Sequence, residues 1–225
     1  MQFTFITLSN AGTRPVACTC VVNIYIPDML STRQLETAYT AFDSYNSSDP
    51  NKEEFNSVFY PKEVLYAIRM TEKLKEYAPD SDEYVQLAVR CQHIGRWKIP
   101  RSSYPMDRKG YLQWRSQLAL HHAKIAEEIL TECGYTSDTI EKVKFLLQKK
   151  QLHQNPDTQL LEDVICLVFV QYYLEPFAAM HEDEKVIDIL KKTLKKISSR
   201  AIKEAVKIPV SDKVKTLIQE AAAAE

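Results

Sequence analysis

Only four glycines occur in the 225 residues of this chain, and that scarcity narrows the folds open to it. Tight hairpin turns draw on glycine for left-handed backbone. A chain this poor in glycine reads as helical, punctuated by caps and prolines. From Ser31 onward apolar residues recur at helical spacing. Leu35, Ala38, Tyr39, Phe42 and Tyr45 share one face, and that helix stops in "SSDPN", where Pro50 forbids continuation. Pro61, at a first-turn position, opens a second helix carrying Val64, Leu65 and Ile68. Asp80, with Glu83 three residues on, forms a capping box for a third helix, which runs out at Gly95. After Pro100 and Pro105, Asp107 caps a long helix closed near Cys133 by Gly134, and Asp138 starts the next.

Beyond Pro156 lies "LLEDVICLVFVQYYL", apolar nearly all round and therefore expected at the centre of the fold. Three amphipathic segments with lysines on their outer faces close the chain. The expectation is an all-α protein, a single bundle of about eight helices over residues 31–225. Residues 1–30, with "FTFITL" and "CTCVVNIYI", are strand-like yet have no partner strands in this reading. They are expected to form an irregular or partly extended N-terminal extension.

A hydrophobic content of 45% with 26% charged residues fits an ordinary soluble domain, and the net charge of −1 gives no global pull toward nucleic acid or anionic lipid. Five cysteines, an odd number without C-x-x-C spacing, argue against a disulfide framework or a zinc ribbon and for a reducing, cytoplasmic setting. "VICLVFVQYYLEPF" is too short to span a bilayer, and Asn10, Arg14 and Pro15 break the N-terminal apolar pieces. Neither a membrane span nor a signal peptide is expected.

Chemistry concentrates between His93 and Arg115. Arg96, Lys98, Arg101, Arg108, Lys109 and Arg115 face a single acid, Asp107, while Trp97, Tyr104, Tyr111 and Trp114 supply aromatic surface. Arginine forks match phosphate and aromatic faces stack planar groups, so this loop is the expected ligand wall. The bland alternative is that the arginines pair with acids and the aromatics close the core. His122 shares a helix face with Leu118, Ile125 and Ile129, whereas His121 sits about a hundred degrees away. His122 is either a hydrogen-bonded core histidine or a ligand or general acid/base. Glu162 and Asp163, on the most apolar helix, must be paired or bound to a cation, with Arg69 or Arg90 as the expected ion-pair partners.

Two short strings, "HIGR" at His93–Arg96 and "KISSR" at Lys196–Arg200, resemble the signatures of class I aminoacyl-tRNA synthetases. Arg96 replaces the second histidine and Ser199 the lysine of the loop motif. No alternating strand–helix pattern surrounds them, so tRNA is the weakest of the expected partners. "LYAIRM", "LAVRCQHIGRW" and "LEDVICLVFV" instead resemble, in order, the ligand-bearing helices of HD-type phosphohydrolases. In those, His, a His-Asp pair and a distant Asp hold a metal that activates water. Tyr66 stands where that pattern has its first His, and Ile94 follows His93 where it has Asp.

Taken together, "QHIGRWKIPRSSYPMDRKGYLQWR", "HAKIAEEIL", "LEDVICLVFVQYY" and "KVIDILKKTLKKIS" closely resemble an uncharacterised family labelled domain of unknown function 4202, over roughly Leu35 to Ile218. Its members are sometimes labelled glutamyl-tRNA synthetase. The resemblance implies a distant relation to HD-type helical proteins. It carries over Arg69, Gln92, His93, Arg96, Trp97, the Pro105–Arg108 run, Trp114, Arg115, His122, Glu162 and Asp163 as candidate site residues.

The resulting expectation is a divalent-metal-dependent phosphohydrolase, or a binder of a phosphorylated small molecule or nucleotide. His93, His122 and Asp163 would be catalytic, and His93, His122, Glu162 and Asp163 the metal ligands. Arg69, Gln92, Arg96, Trp97, Arg101, Tyr104, Asp107, Arg108, Trp114 and Arg115 would hold the substrate. A non-catalytic binding or regulatory module using the same pocket is the alternative.

Overall fold

The helical period after Ser31 becomes ten α-helices in the computed structural model, which describes residues 27–223, with side-chain detail from residue 32. α1 (Pro27–Asn46) begins four residues before the expected boundary at residue 31, and buries Ala38 and Phe42 completely. The rest of the expected N-terminal extension lies outside the described residues.

The first departure from an all-helical reading follows at once. β1 (Lys52–Phe55) and β2 (Val58–Pro61) pair antiparallel, Lys52 opposite Pro61 and Phe55 opposite Val58. The two-residue turn takes left-handed backbone at Asn56 (φ 51°) and Ser57 (φ 61°), the geometry of a type I′ hairpin. Asparagine tolerates that region and serine is forced into it, so the hairpin forms without the glycine that would have announced it.

α2 (Lys62–Tyr77) starts one residue after Pro61 and is buried on more than one side. Val64 and Ile68 are half-buried; the innermost positions are Leu65, Met70 and Leu74, accompanied by the polar Glu63, Arg69 and Thr71. α3 (Glu83–Arg90) opens after Asp82 rather than Asp80. The Asp82 side chain makes no cap bond, and the Glu83 carboxylate accepts a hydrogen bond from the Tyr135 hydroxyl (2.6 Å). α3 ends at Arg90, and a turn occupies residues 91–95.

Two 3₁₀ turns, Arg96–Lys98 and Arg101–Ser103, lead to α4 (Arg108–Glu132). Asp107 caps it as expected, accepting from the Gly110 amide at 2.7 Å. A Cβ at Gly110 would lie 2.1 Å from the Pro105 carbonyl oxygen, so glycine lets the loop fold back on the helix start. α5 (Ser137–Leu147) is capped by Thr136 rather than begun by Asp138.

α6 (Pro156–Val168) has Asn155 as its cap. It passes through a π-turn at Phe169–Tyr173 into α7 (Leu174–Met180). α6 is central as its composition implies: Leu161, Val164, Leu167 and Val168 are buried against α2, α3, α5 and α9. The continuous helix Pro156–Met180 has 25 residues and is, by length and composition, long and apolar enough to cross a membrane, longer than its apolar sequence run implied. Its innermost side chains are spent on the core of this fold. α8 (Asp183–Leu194), α9 (Ser199–Ala205) and α10 (Asp212–Ala223) complete the chain, with α10 packed on α8 and α7.

Because Ser57 bears left-handed backbone that glycine adopts freely, Ser57→Gly is expected to stabilise the protein by about 1 kcal/mol. Calorimetry should show a rise of roughly 2–4 °C in Tm for a chain of this size.

Candidate functional site: an interior polar cluster

The "HIGR" string is a turn that terminates α3. Ile94 is fully buried, and its carbonyl accepts the Nδ1–H of His122 at 2.6 Å. Gly95 has φ +66°, and a Cβ there would lie 2.7 Å from the Ile125 methyl, so both conformation and space demand glycine. Its amide donates to Asn46 Oδ1 (3.1 Å), and its carbonyl accepts from His121 Nε2 (3.2 Å). Reversing the chain here brings the side chains on either flank together, and Arg96 Nη1 donates to His93 Nε2 at 2.9 Å. The remaining hydrogen of neutral His93 therefore sits on Nδ1, which faces Glu63 Oε2 at 3.3 Å. His93 also stacks on Tyr66, ring centroids 4.1 Å apart, and stands 6.0 Å from His122.

Burial sets the electrostatics. It pushes the Glu63 carboxyl up to about 7 against the opposing pull of Arg96. It holds His93 well below its ordinary value, and the charges of Arg96, Lys149 and Arg115 act in the same direction. His122 is lowered to about 3, again chiefly by burial. On the far side, Lys149 Nζ meets Glu162 Oε2 at 2.6 Å. Burial raises the Glu162 carboxyl, but the charge and hydrogen bond of Lys149 together with the charges of Lys196 and Arg115 outweigh it, and the net shift is downward. The cluster thus combines Glu63, Tyr66, His93, Arg96, His122, Lys149 and Glu162, with Arg115 close enough to act on it.

Lys149 was not among the expected site residues. It lies just past α5 with φ 51°, its amide bonded to the Leu146 carbonyl (2.8 Å) and that of Lys150 to Phe145 (3.3 Å). That is the helix-ending position glycine usually fills, and no sequence pattern marks a lysine that occupies it. Glu63 did leave a signal, since it falls in register with Ala67, Met70, Leu74 and Tyr77 on a buried stripe.

The other expected residues divide. Asp163 is elsewhere: Oδ1 accepts from Gln159 Nε2 (2.9 Å) and the Ser198 amide (2.8 Å), and Oδ2 from the hydroxyls of Tyr77 and Ser198. It anchors the start of α9, which is what "KISSR" encodes, with Arg200 lying over the Tyr77 ring. The ion pairs expected for Glu162 and Asp163 form differently, as Arg69 pairs with Glu53 and Arg90 with Asp43. Arg69 also donates to the Tyr173 hydroxyl (2.9 Å) and packs on Phe55 and Tyr172, pinning the hairpin to the π-turn.

Within the loop, Arg101 bonds the carbonyls of Tyr104 and Asp107, Trp114 donates to the Ile99 carbonyl (2.8 Å), and Trp97 packs on Tyr45. Arg108 is exposed, and Gln92 is buried with Oε1 unbonded among the described residues. The aromatic loop is largely its own scaffold. Arg96 bonds into the cluster, while Arg115 donates to the Tyr111 hydroxyl (3.3 Å) and its charge is felt at His93 and Glu162. Two clefts, of about 490 and 360 Å³, open on other faces and include no cluster residue.

The expected metal ligands do not form a ligand set. Among the described residues no group of three or more His, Cys, Asp or Glu side chains could hold an ion. Both nitrogens of His93 are engaged, Glu162 holds Lys149, and Asp163 holds the start of α9.

Residues 36–218 match the family model described as Domain of unknown function (DUF4202). The chain belongs to that family. No curated protein and no solved structure matches this DUF4202 member, so neither the HD resemblance nor the synthetase strings gain support.

Two outcomes follow for this DUF4202 chain. In the unfolded chain Glu63 ionises near 4.5, in the folded one near 7. The folded state therefore holds the extra proton between those values, and stability falls as pH rises through that window. Glu63→Gln should leave thermal stability nearly unchanged at pH 4.5 and raise it by on the order of 2–3 kcal/mol at pH 8. Lys149→Gly relieves left-handed backbone but strands Glu162, so chemical denaturation should show a net loss of about 2 kcal/mol. Adding Glu162→Gln should recover most of it.

Proposed function

We propose that the interior cluster binds a small phosphorylated molecule, and does so without a metal ion. The observation that supports this reading is charge: Arg96, Lys149 and Arg115 all act on the neutral His93, Arg96 and Lys149 also on the neutral His122, Arg96 on the Glu63 carboxyl, and Lys149 and Arg115 on the Glu162 carboxylate. One of those carboxylates, Glu63, is half-protonated near neutral pH. Cations outweigh anions in a desolvated place, and a phosphoryl group is the ligand chemistry that offsets them. Arginine and lysine supply the donors a phosphate needs, while the neutral histidines add no competing charge. The site is compact, with rings 4.1 and 6.0 Å apart, which favours a small ester over a polymer.

A metal-dependent phosphohydrolase is the reading these contacts favour less, because His93 and Asp163 would have to abandon partners they already hold. The non-catalytic alternative needs no such exchange. Glu63, poised near neutrality beside His93, leaves room for proton transfer to or from a bound ester.

Thermal unfolding in EDTA with inorganic phosphate and a panel of phosphate monoesters tests the proposal. A dose-dependent rise in Tm is expected with at least one ester, and Arg115→Ala should weaken that response about tenfold, as loss of a charge-assisted bond does. No stabilisation by any phosphate would overturn the reading. Hydrolysis of an ester only on adding a divalent ion would restore the metal-dependent one.

A further inference from the structure

The acceptor on His122 narrows what the ligand must be. Nδ1 of His122 lies 2.6 Å from the Ile94 carbonyl oxygen, which can only accept, so the ring proton is on Nδ1. Nε2, across the ring, keeps its lone pair and makes no hydrogen bond to any described residue. The residue is only 4% exposed. The same ring stands 6.0 Å from His93, inside the cluster. Burial keeps it neutral at any ordinary pH, so Nε2 remains an acceptor.

We infer that the ligand of this cluster is a phosphate monoester that also carries a hydroxyl, the hydroxyl donating to His122 Nε2 while the phosphoryl group meets Arg96, Arg115 and Lys149. The inference rests on the phosphate-binding reading and adds the substrate class to it. A fully ionised phosphoryl oxygen cannot satisfy Nε2, because both atoms bring lone pairs and neither brings a proton. A metal ion could use that lone pair, but the donors that would complete its shell are committed elsewhere, and the neighbouring cations oppose it. A water molecule is the natural occupant in the free protein. A ligand that displaces the water without supplying a donor leaves Nε2 unbonded, and a site built around such a group discriminates against the analogue that lacks the donor.

Geometry also supplies a clean variant. Asparagine places its amide where Nδ1 stands, so His122→Asn can keep the bond to the Ile94 carbonyl while removing Nε2. Titration calorimetry of the full chain with glycerol 3-phosphate, ribose 5-phosphate and propyl phosphate reads the difference. Wild type should bind at least one of the hydroxylated esters tenfold or more tightly than propyl phosphate. In His122→Asn that advantage should disappear, the hydroxylated esters falling to the affinity the same variant has for propyl phosphate. Wild type alone against the three probes decides the matter if the variant fails to fold. Equal affinities for all three would overturn this inference and leave phosphate binding standing. If wild type binds none of them and no phosphate stabilises it, the binding reading falls and this inference with it.

Discussion

The hydrogen bond from His122 to the Ile94 carbonyl joins α4 to the turn that ends α3, and the polar interior depends on it. Without that bond a buried carbonyl and a buried imidazole would both lose their partner, at a cost of about 1–3 kcal/mol for each. With it, the turn is held in a left-handed shape that glycine adopts freely and other residues rarely, and His93 and Arg96 are delivered to the same side. The tautomer of His122 follows from the carbonyl, and that of His93 from the Arg96 guanidinium. Burial keeps both histidines neutral, and the charges around them belong to Glu63, Glu162, Arg96, Arg115 and Lys149.

Much of the fold was legible because helices announce themselves locally. Asp107, Pro156 and Gly134 mark boundaries through groups that act within one turn, and the apolar run after Leu160 could only be central. Legibility failed where two local signals compete or none exists. Asp80 and Asp82 both precede Glu83, the helix starts after the second, and Glu83 bonds to Tyr135, more than fifty residues away in the chain. The hairpin hid because Asn56 and Ser57 do glycine's work, as Lys149 does after α5. The site shows the same division. Helical spacing separated His122 from His121 correctly, since orientation on a helix is a local property. It could not tell that Asp163, also facing inward, looks toward Ser198 instead of the histidines. That depends on how α6 and α9 pack.

The HD-type pattern expected from the sequence and the interior of this fold differ in one physical respect. A metal site and a cationic site solve the same problem, which is to bring positive charge to an anion inside a helical bundle. The first borrows the charge from solution and holds it with carboxylates and imidazoles; the second builds it from side chains. This chain has Tyr66 and Ile94 where the metal pattern has ligands, and it has Lys149 on Glu162 and Arg96 on His93. Each replacement removes a donor or spends one on a covalently attached cation.

The two solutions also exclude each other. At about 5 Å and an effective dielectric of 20, a divalent ion meets each neighbouring cation with roughly 7 kcal/mol of repulsion, and coordination by one imidazole does not offset several such terms. An anion in the same place gains what the metal loses. The free protein therefore holds its cations at some expense to its own stability, against desolvation and against left-handed backbone at Lys149. On the phosphate-binding proposal a bound anion would relieve that expense, and so register as a gain in folding free energy.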